Sequence, residues 1–133
     1  MSTKKQIGIG VISLGWMGRL HARSYRSVSE RFPELGAEAR LVAAADPVEE
    51  AQRAAVEDLG FERAYADYRE LLADPQVEAV SICSPNYLHE EIALAAVEAG
   101  KPFWIEKPMG VSAEQARRVA RAAADAGLVT AVG

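Results

Sequence analysis

A single cysteine, no surplus of positive charge and no long hydrophobic run exclude several classes of protein at the outset. Cys83 has no partner for an intrachain disulfide, so a stapled secreted scaffold is ruled out, and its apolar neighbours Val80 and Ile82 point to a buried thiol in a reducing, cytoplasmic setting. Fifteen Lys and Arg stand against nineteen Asp and Glu, giving a net charge of -4. They are scattered, leaving no basic stripe for a nucleic-acid backbone. No apolar run approaches the ~20 residues that cross a bilayer, and no metal site is expected. The start Met1 to Lys5 followed by Ile7 to Met17 imitates a signal peptide. It is broken by Gly8, Gly10 and Gly15 and lacks an Ala-x-Ala site, so it reads instead as a buried strand and turn.

What the chain does contain is a regular alternation. Apolar runs, often β-branched, occur at Ile7 to Ile12, Leu41 to Ala45, Val77 to Cys83, Pro102 to Ile105 and Leu128 to Val132, with a weaker one at Arg63 to Ala66. They are too continuous for strands with one wet face and fit a parallel sheet buried on both sides. Between them lie helical segments with start and stop signals. Asp67 with Glu70 and Ser112 with Gln115 are spaced as capping boxes, and Pro47 suits a first helical turn. From Asn86 to Ala99, the residues Leu88, Ile92, Ala95, Ala96 and Ala99 share a face before Gly100 ends the helix. Ala116, Val119, Ala120 and Ala123 do the same before Gly127. The segment Arg31 to Ala37 reads as a surface loop.

Five β-α units ending on a strand, with right-handed crossovers, predict a single α/β domain over residues 1–133, a doubly wound Rossmann sheet of order 3-2-1-4-5-6. Its first strand runs into Ser13-Leu-Gly-Trp-Met-Gly18 and then a helix, the setting of a Gly-x-Gly-x-x-Gly phosphate loop. Ser13 replaces the first glycine. Gly15 still lets the backbone approach a pyrophosphate, Gly18 allows close packing of helix on strand, and the amides of Leu14, Trp16 and Met17 lie in the same loop at a helix amino end. Trp16 either covers the cofactor's edge or faces a second domain. A tight strand-to-helix turn without ligand is the alternative.

Asp46 ends the second strand, where a carboxylate accepts from the adenosine ribose hydroxyls. It lies 28 residues beyond Gly18, further than the usual ~20, and the loop around Pro33 and Gly36 accounts for the excess. The competing reading is that Asp46, before Pro47 and Glu49, caps the next helix. As a ribose ligand it favours NAD over NADP, because it repels a 2′-phosphate and is followed by Pro47 rather than arginine.

Two further motifs stand in the carboxy-terminal half, Ser84-Pro-Asn-Tyr-Leu-His89 and Ala99-Gly-Lys-Pro-Phe-Trp-Ile-Glu-Lys-Pro108. With the phosphate loop they resemble the Pro-Asn-x-x-His and Gly-Lys-x-x-x-x-Glu-Lys-Pro motifs of the glucose-fructose oxidoreductase and inositol dehydrogenase family (Gfo/Idh/MocA). The resemblance implies that Ser84, Pro85, Asn86 and His89 lie against the ribose and nicotinamide. It places Glu106 and Lys107 beside the nicotinamide ribose, Lys107 near the substrate hydroxyl as the catalytic candidate, and a cis bond before Pro108. Read from the residues alone, Asn86 is a helix N-cap, His89 an exposed first-turn residue, and Glu106-Lys107 a solvated pair. Trp104 reads as a core or interdomain residue.

The resemblance further implies a sugar or polyol dehydrogenase whose α/β substrate domain follows Gly133 and is absent here, either by truncation or because a partner chain supplies it. The surface around Trp104 and the last strand would then be open to self-association. Two readings of another class remain beside it, a non-catalytic dinucleotide-binding or sensing module and a ligand-free scaffold.

Overall fold

The computed structural model describes residues 3–133; Met1 and Ser2, which open the signal-like start, lie outside the described residues. The elements alternate as β1 (Lys5–Ile12), α1 (Trp16–Arg31), β2 (Ala37–Ala45), α2 (Glu49–Ala54), β3 (Arg63–Tyr65), α3 (Tyr68–Ala73), β4 (Ala79–Ile82), α4 (His89–Glu98), β5 (Phe103–Ile105), α5 (Ala113–Asp125) and β6 (Thr130–Val132). Short 3-10 turns occupy Pro33–Leu35 and Asn86–Leu88, and a π turn Ala55–Leu59 continues α2. The six strands are parallel in the order β3-β2-β1-β4-β5-β6, as the alternation predicts.

The continuous apolar runs are explained by two cores, one on each face. Val80, Ile82, Phe103 and Ile105 pack with Ile92 and Val119 on the side of α4 and α5. Ile9, Val11, Leu41 and Ala44 pack with Ala22, Leu59 and Phe61 on the other, where α1 lies. Strand residues alternate between these faces, so on β4 the partners of Val80 and Ile82 are turned away from Ser81. That single polar residue therefore enters the α1 side fully buried.

Several boundaries differ from the pattern. β1 and β2 start earlier than their apolar runs because Lys5 and Gln6 on β1, and Ala37 to Arg40 on β2, join the backbone ladder while their side chains stay exposed or only half-buried. β6, expected to be buried on both faces, is exposed at all three residues because it is a sheet edge. The helix expected from Asn86 begins as a 3-10 turn, with Pro85 at the capping position, and becomes α-helical only at His89. Asn86 therefore is not a cap.

The other start signals hold with small shifts. The Asp67 carboxylate accepts from the Arg69 N–H at 2.8 Å. Ser112 Oγ accepts from the Gln115 N–H at 3.2 Å, while the Gln115 side chain accepts from Val111 rather than Ser112. Pro47 lies outside α2, whose capping residue is Val48. Gly100 and Gly127 end α4 and α5 at φ of 70° and 66°, a left-handed turn open to glycine at no steric cost.

Arg63 on β3 donates from Nε to Asp74 Oδ2 at 2.7 Å, and the Tyr65 hydroxyl donates to the same oxygen at 3.0 Å. These bonds pin the edge strand to the loop before β4. The Arg63 guanidinium holds the nearly buried Asp74 carboxyl at about 2, well below the usual carboxylate range.

Candidate functional site

The sequence-predicted site residues converge on the carboxyl ends of four adjacent strands, β2, β1, β4 and β5. In that order they carry Asp46, the Ser13–Gly18 loop, Ser84 to Asn86, and Glu106 to Pro108. Three interstrand steps span about 14 Å. This edge also contains the position where chain order reverses between β1 and β4, the crevice in which open α/β sheets bind ligands.

The Ser13–Gly18 loop is built as a tight turn. Ser13 adopts φ 73°, the left-handed region, so it occupies the first fingerprint position with the conformation a glycine would have there. Its N–H donates to the Ala45 carbonyl at 2.7 Å, tying the turn to β2. A Cβ on Gly18 would lie 1.9 Å from the Ser13 carbonyl oxygen, which gives the helix-on-strand contact a physical cause. A Cβ on Gly15 would meet nothing within 4 Å. Gly15 caps α1 without a side-chain hydrogen bond, and the first turn of α1 carries no acidic residue. The first amides of this 16-residue helix therefore face an open space, where an anion is favoured.

Within the loop the residues divide. Leu14 gives its N–H to Asp46 Oδ2 at 2.9 Å and buries its side chain, so its amide is spent on the protein. Arg19, which the sequence reading passed over, braces the loop by donating from Nε to the Leu14 carbonyl at 3.1 Å. Trp16 is 79% exposed at the helix start, and Met17 is half-buried. Asp46 also accepts the Val48 N–H on Oδ1 at 2.9 Å. It thus joins the Ser13–Gly18 loop to the start of the next segment rather than capping α2, and each carboxylate oxygen keeps a lone pair for a further donor.

On β4 and the loop beyond it, Ser84 is 6% exposed and its Oγ is buried without a hydrogen-bond partner among the described residues. A buried hydroxyl left unpaired is unfavourable, and a ligand at this edge would satisfy it. Pro85 and Asn86 are exposed beside it. His89 is not the exposed first-turn residue that its position suggests. It is fully buried, with Nδ1 2.6 Å from the Pro108 carbonyl oxygen and Nε2 2.8 Å from that of Ser84, so neither ring nitrogen is open to a cofactor.

At the end of β5, Lys107 and Pro108 are exposed and the peptide between them is cis. Glu106 is held differently from a solvated pair with Lys107. Its Oε1 lies 2.7 Å from His21 Nε2 on α1, His21 Nδ1 lies 2.9 Å from Ser81 Oγ, and that oxygen is 2.7 Å from the Tyr25 hydroxyl. Burial pushes the Tyr25 phenol up. Burial, followed by the Glu106 charge, pushes the half-buried Cys83 thiol up to about 12, so it stays protonated and unreactive at neutral pH. Trp104 is 41% exposed and stands edge-on to His21 at 5.9 Å between ring centres, so it is not a core residue. Sequence reasoning missed this His21–Ser81–Tyr25 group. Its available signals were a histidine and tyrosine four apart on the sheet-facing side of α1, and one hydroxyl inside an apolar strand.

An open helix amino end, acceptor lone pairs on Asp46 and an unpaired Ser84 hydroxyl along one switch-point edge fit a dinucleotide, and they define a Rossmann domain. Comparison with known proteins agrees over nearly the whole chain. Residues 7–133 match the Gfo/Idh/MocA family model, described as the oxidoreductase family with an NAD-binding Rossmann fold. The chain is 34% identical over 128 residues to levoglucosan dehydrogenase of Pseudarthrobacter phenanthrenivorans, covering 94% of this chain and 32% of the relative. It is 40% identical over 114 residues to inositol 2-dehydrogenase of Agrobacterium fabrum, covering 85% and 32%. A crystal structure of an NAD-binding oxidoreductase from Klebsiella pneumoniae superposes with a TM-score of 0.91 at 43% identity, covering 96% of this chain and 34% of that one. The chain belongs to the Gfo/Idh/MocA oxidoreductase family and is an NAD-binding Rossmann domain of it. It spans about a third of the length of these relatives. Among the described residues no helix is long and apolar enough to cross a membrane.

Proposed function

We propose that this chain is the cofactor domain of an NAD-dependent dehydrogenase that oxidises a secondary alcohol of a sugar, polyol or inositol. The observation that carries the reading is the order along one sheet edge: a carboxylate at β2, an open helix amino end at β1, an unpaired buried hydroxyl at β4 and an exposed lysine at β5. The activities of the levoglucosan and inositol dehydrogenase relatives support the substrate class.

Each residue then has a defined task. The amides at the start of α1 hold the pyrophosphate, with Gly15 leaving the space it needs. Asp46 accepts from the adenosine ribose hydroxyls through the lone pairs that Leu14 and Val48 leave free. Ser84 Oγ and the exposed Asn86 address the nicotinamide half. When bound, the nicotinamide ring supplies the acceptor for the hydride leaving the alcohol carbon. Lys107 directs its ammonium at the alcohol oxygen, orienting it and stabilising the alkoxide that forms as the hydroxyl proton passes to solvent water; the C–H bond then breaks with its electron pair leaving as hydride while the C=O bond forms. Glu106, fixed by His21, holds the backbone beside Lys107 at one distance from the sheet edge.

Calorimetric titration with NAD and NADP tests this reading. The chain is expected to bind NAD at least about tenfold more tightly, because a 2′-phosphate would approach the Asp46 carboxylate with no adjacent arginine to offset the repulsion. Asp46→Ala is expected to weaken NAD and bring the two affinities together. Tighter binding of NADP by the intact chain would contradict the assignment of Asp46.

A further inference from the structure

We infer that His89 is a positioning residue for the nicotinamide end of the site: its ring ties the loop after β4 to the loop after β5, and through the Pro108 carbonyl it sets where Lys107 stands. The inference rests on the proposal that NAD lies across these two loops. His89 is the first residue of α4 and is fully buried. One ring nitrogen reaches back five residues to the Ser84 carbonyl at 2.8 Å, and the other reaches forward nineteen residues to the Pro108 carbonyl at 2.6 Å. Among the described residues, no other side-chain hydrogen bond joins these two loops.

The chemistry of the contacts is specific. A carbonyl oxygen only accepts, so a hydrogen bond to either loop has to come from a ring N–H of His89. An apolar side chain could fill the same volume, but it would leave the buried Ser84 carbonyl and the part-buried Pro108 carbonyl without this donor, which is unfavourable. The two groups that His89 fixes are the backbone of the residue with the unpaired Ser84 hydroxyl and the residue next to Lys107. Both belong to the nicotinamide half. Asp46 and the amino end of α1, on β2 and β1, serve the adenosine and pyrophosphate half and have no hydrogen bond to His89.

This division gives the test. NAD and ADP are titrated calorimetrically into the intact chain, His89→Leu and His89→Gln, with thermal unfolding recorded for each. ADP carries the adenosine and pyrophosphate without the nicotinamide half. Both variants are expected to bind NAD about tenfold or more weakly, as loss of one buried hydrogen bond would give, while ADP stays within about twofold. If the leucine variant does not fold, the glutamine variant, which keeps an amide donor, decides by the same pair of affinities. Equal weakening of NAD and ADP, or no change in either, overturns the role of His89. Binding of neither ligand by the intact chain overturns the cofactor reading itself, and the role of His89 falls with it.

Discussion

Gly18→Ala is expected to destabilise the fold by about 3 kcal/mol or more, a large part of the ~5 to 15 kcal/mol that holds a domain of this size together. The added Cβ would lie 1.9 Å from the Ser13 carbonyl oxygen and 2.9 Å from its carbon, both backbone atoms with no flexible end to move aside. Relief requires α1 to lift from β1 or the Ser13 turn to shift. That turn is anchored by the Ser13 N–H on Ala45 and by Leu14 on Asp46. An alanine within a helix would normally gain about 1 kcal/mol over glycine, and the overlap outweighs it. Urea unfolding of both proteins at 25 °C measures the difference. A midpoint unchanged or raised in the variant would show that the helix and strand are not in the contact described.

Gly15→Ala, three residues earlier, is expected to do the opposite. Here a Cβ meets no atom within 4 Å, so the loss of stability should stay near the few tenths to ~1 kcal/mol that separate glycine from alanine at a helix cap. The same Cβ would project into the space over the first amides of α1, where the pyrophosphate needs the backbone bare. NAD affinity is therefore expected to fall at least about tenfold with an almost unchanged unfolding midpoint. Fluorescence of the exposed Trp16, within the same loop, is the titration signal to follow. Undiminished affinity in the variant would place the phosphates elsewhere. Together the two glycines separate a structural requirement from a ligand requirement within one motif.

The sheet order was legible because its cause is local: apolar runs buried on both faces alternate with helices whose starts and stops are written in Asp67, Ser112, Gly100 and Gly127. The long gap between Gly18 and Asp46 also had a readable cause, although its division was not. α1 runs 16 residues to Arg31, and the 3-10 turn at Pro33–Leu35 follows before β2. β6 misled because an apolar run looks the same at a sheet edge as in its middle: the predicted order placed β6 at the edge, but its Leu128 to Val132 run still read as buried on both faces. The geometry of the candidate site was legible wherever a motif fixes the backbone, as at the close helix-on-strand contact of Gly18 and the open surroundings of Gly15. It was not legible where the partner is a main-chain carbonyl or lies far along the chain. His89 is buried because two loop carbonyls close over it, and Glu106 meets His21 across 85 residues.

The claim that a dinucleotide lies along the β2-β1-β4-β5 edge is tested most directly by following the backbone amide NMR signals of the intact chain as NAD is added. The account predicts saturable shifts at Gly15 to Gly18, at Asp46, at Ser84 and Asn86 and at Glu106 and Lys107, with the opposite edge of the sheet unchanged. Shifts confined to other surfaces, or none at millimolar NAD, would contradict it.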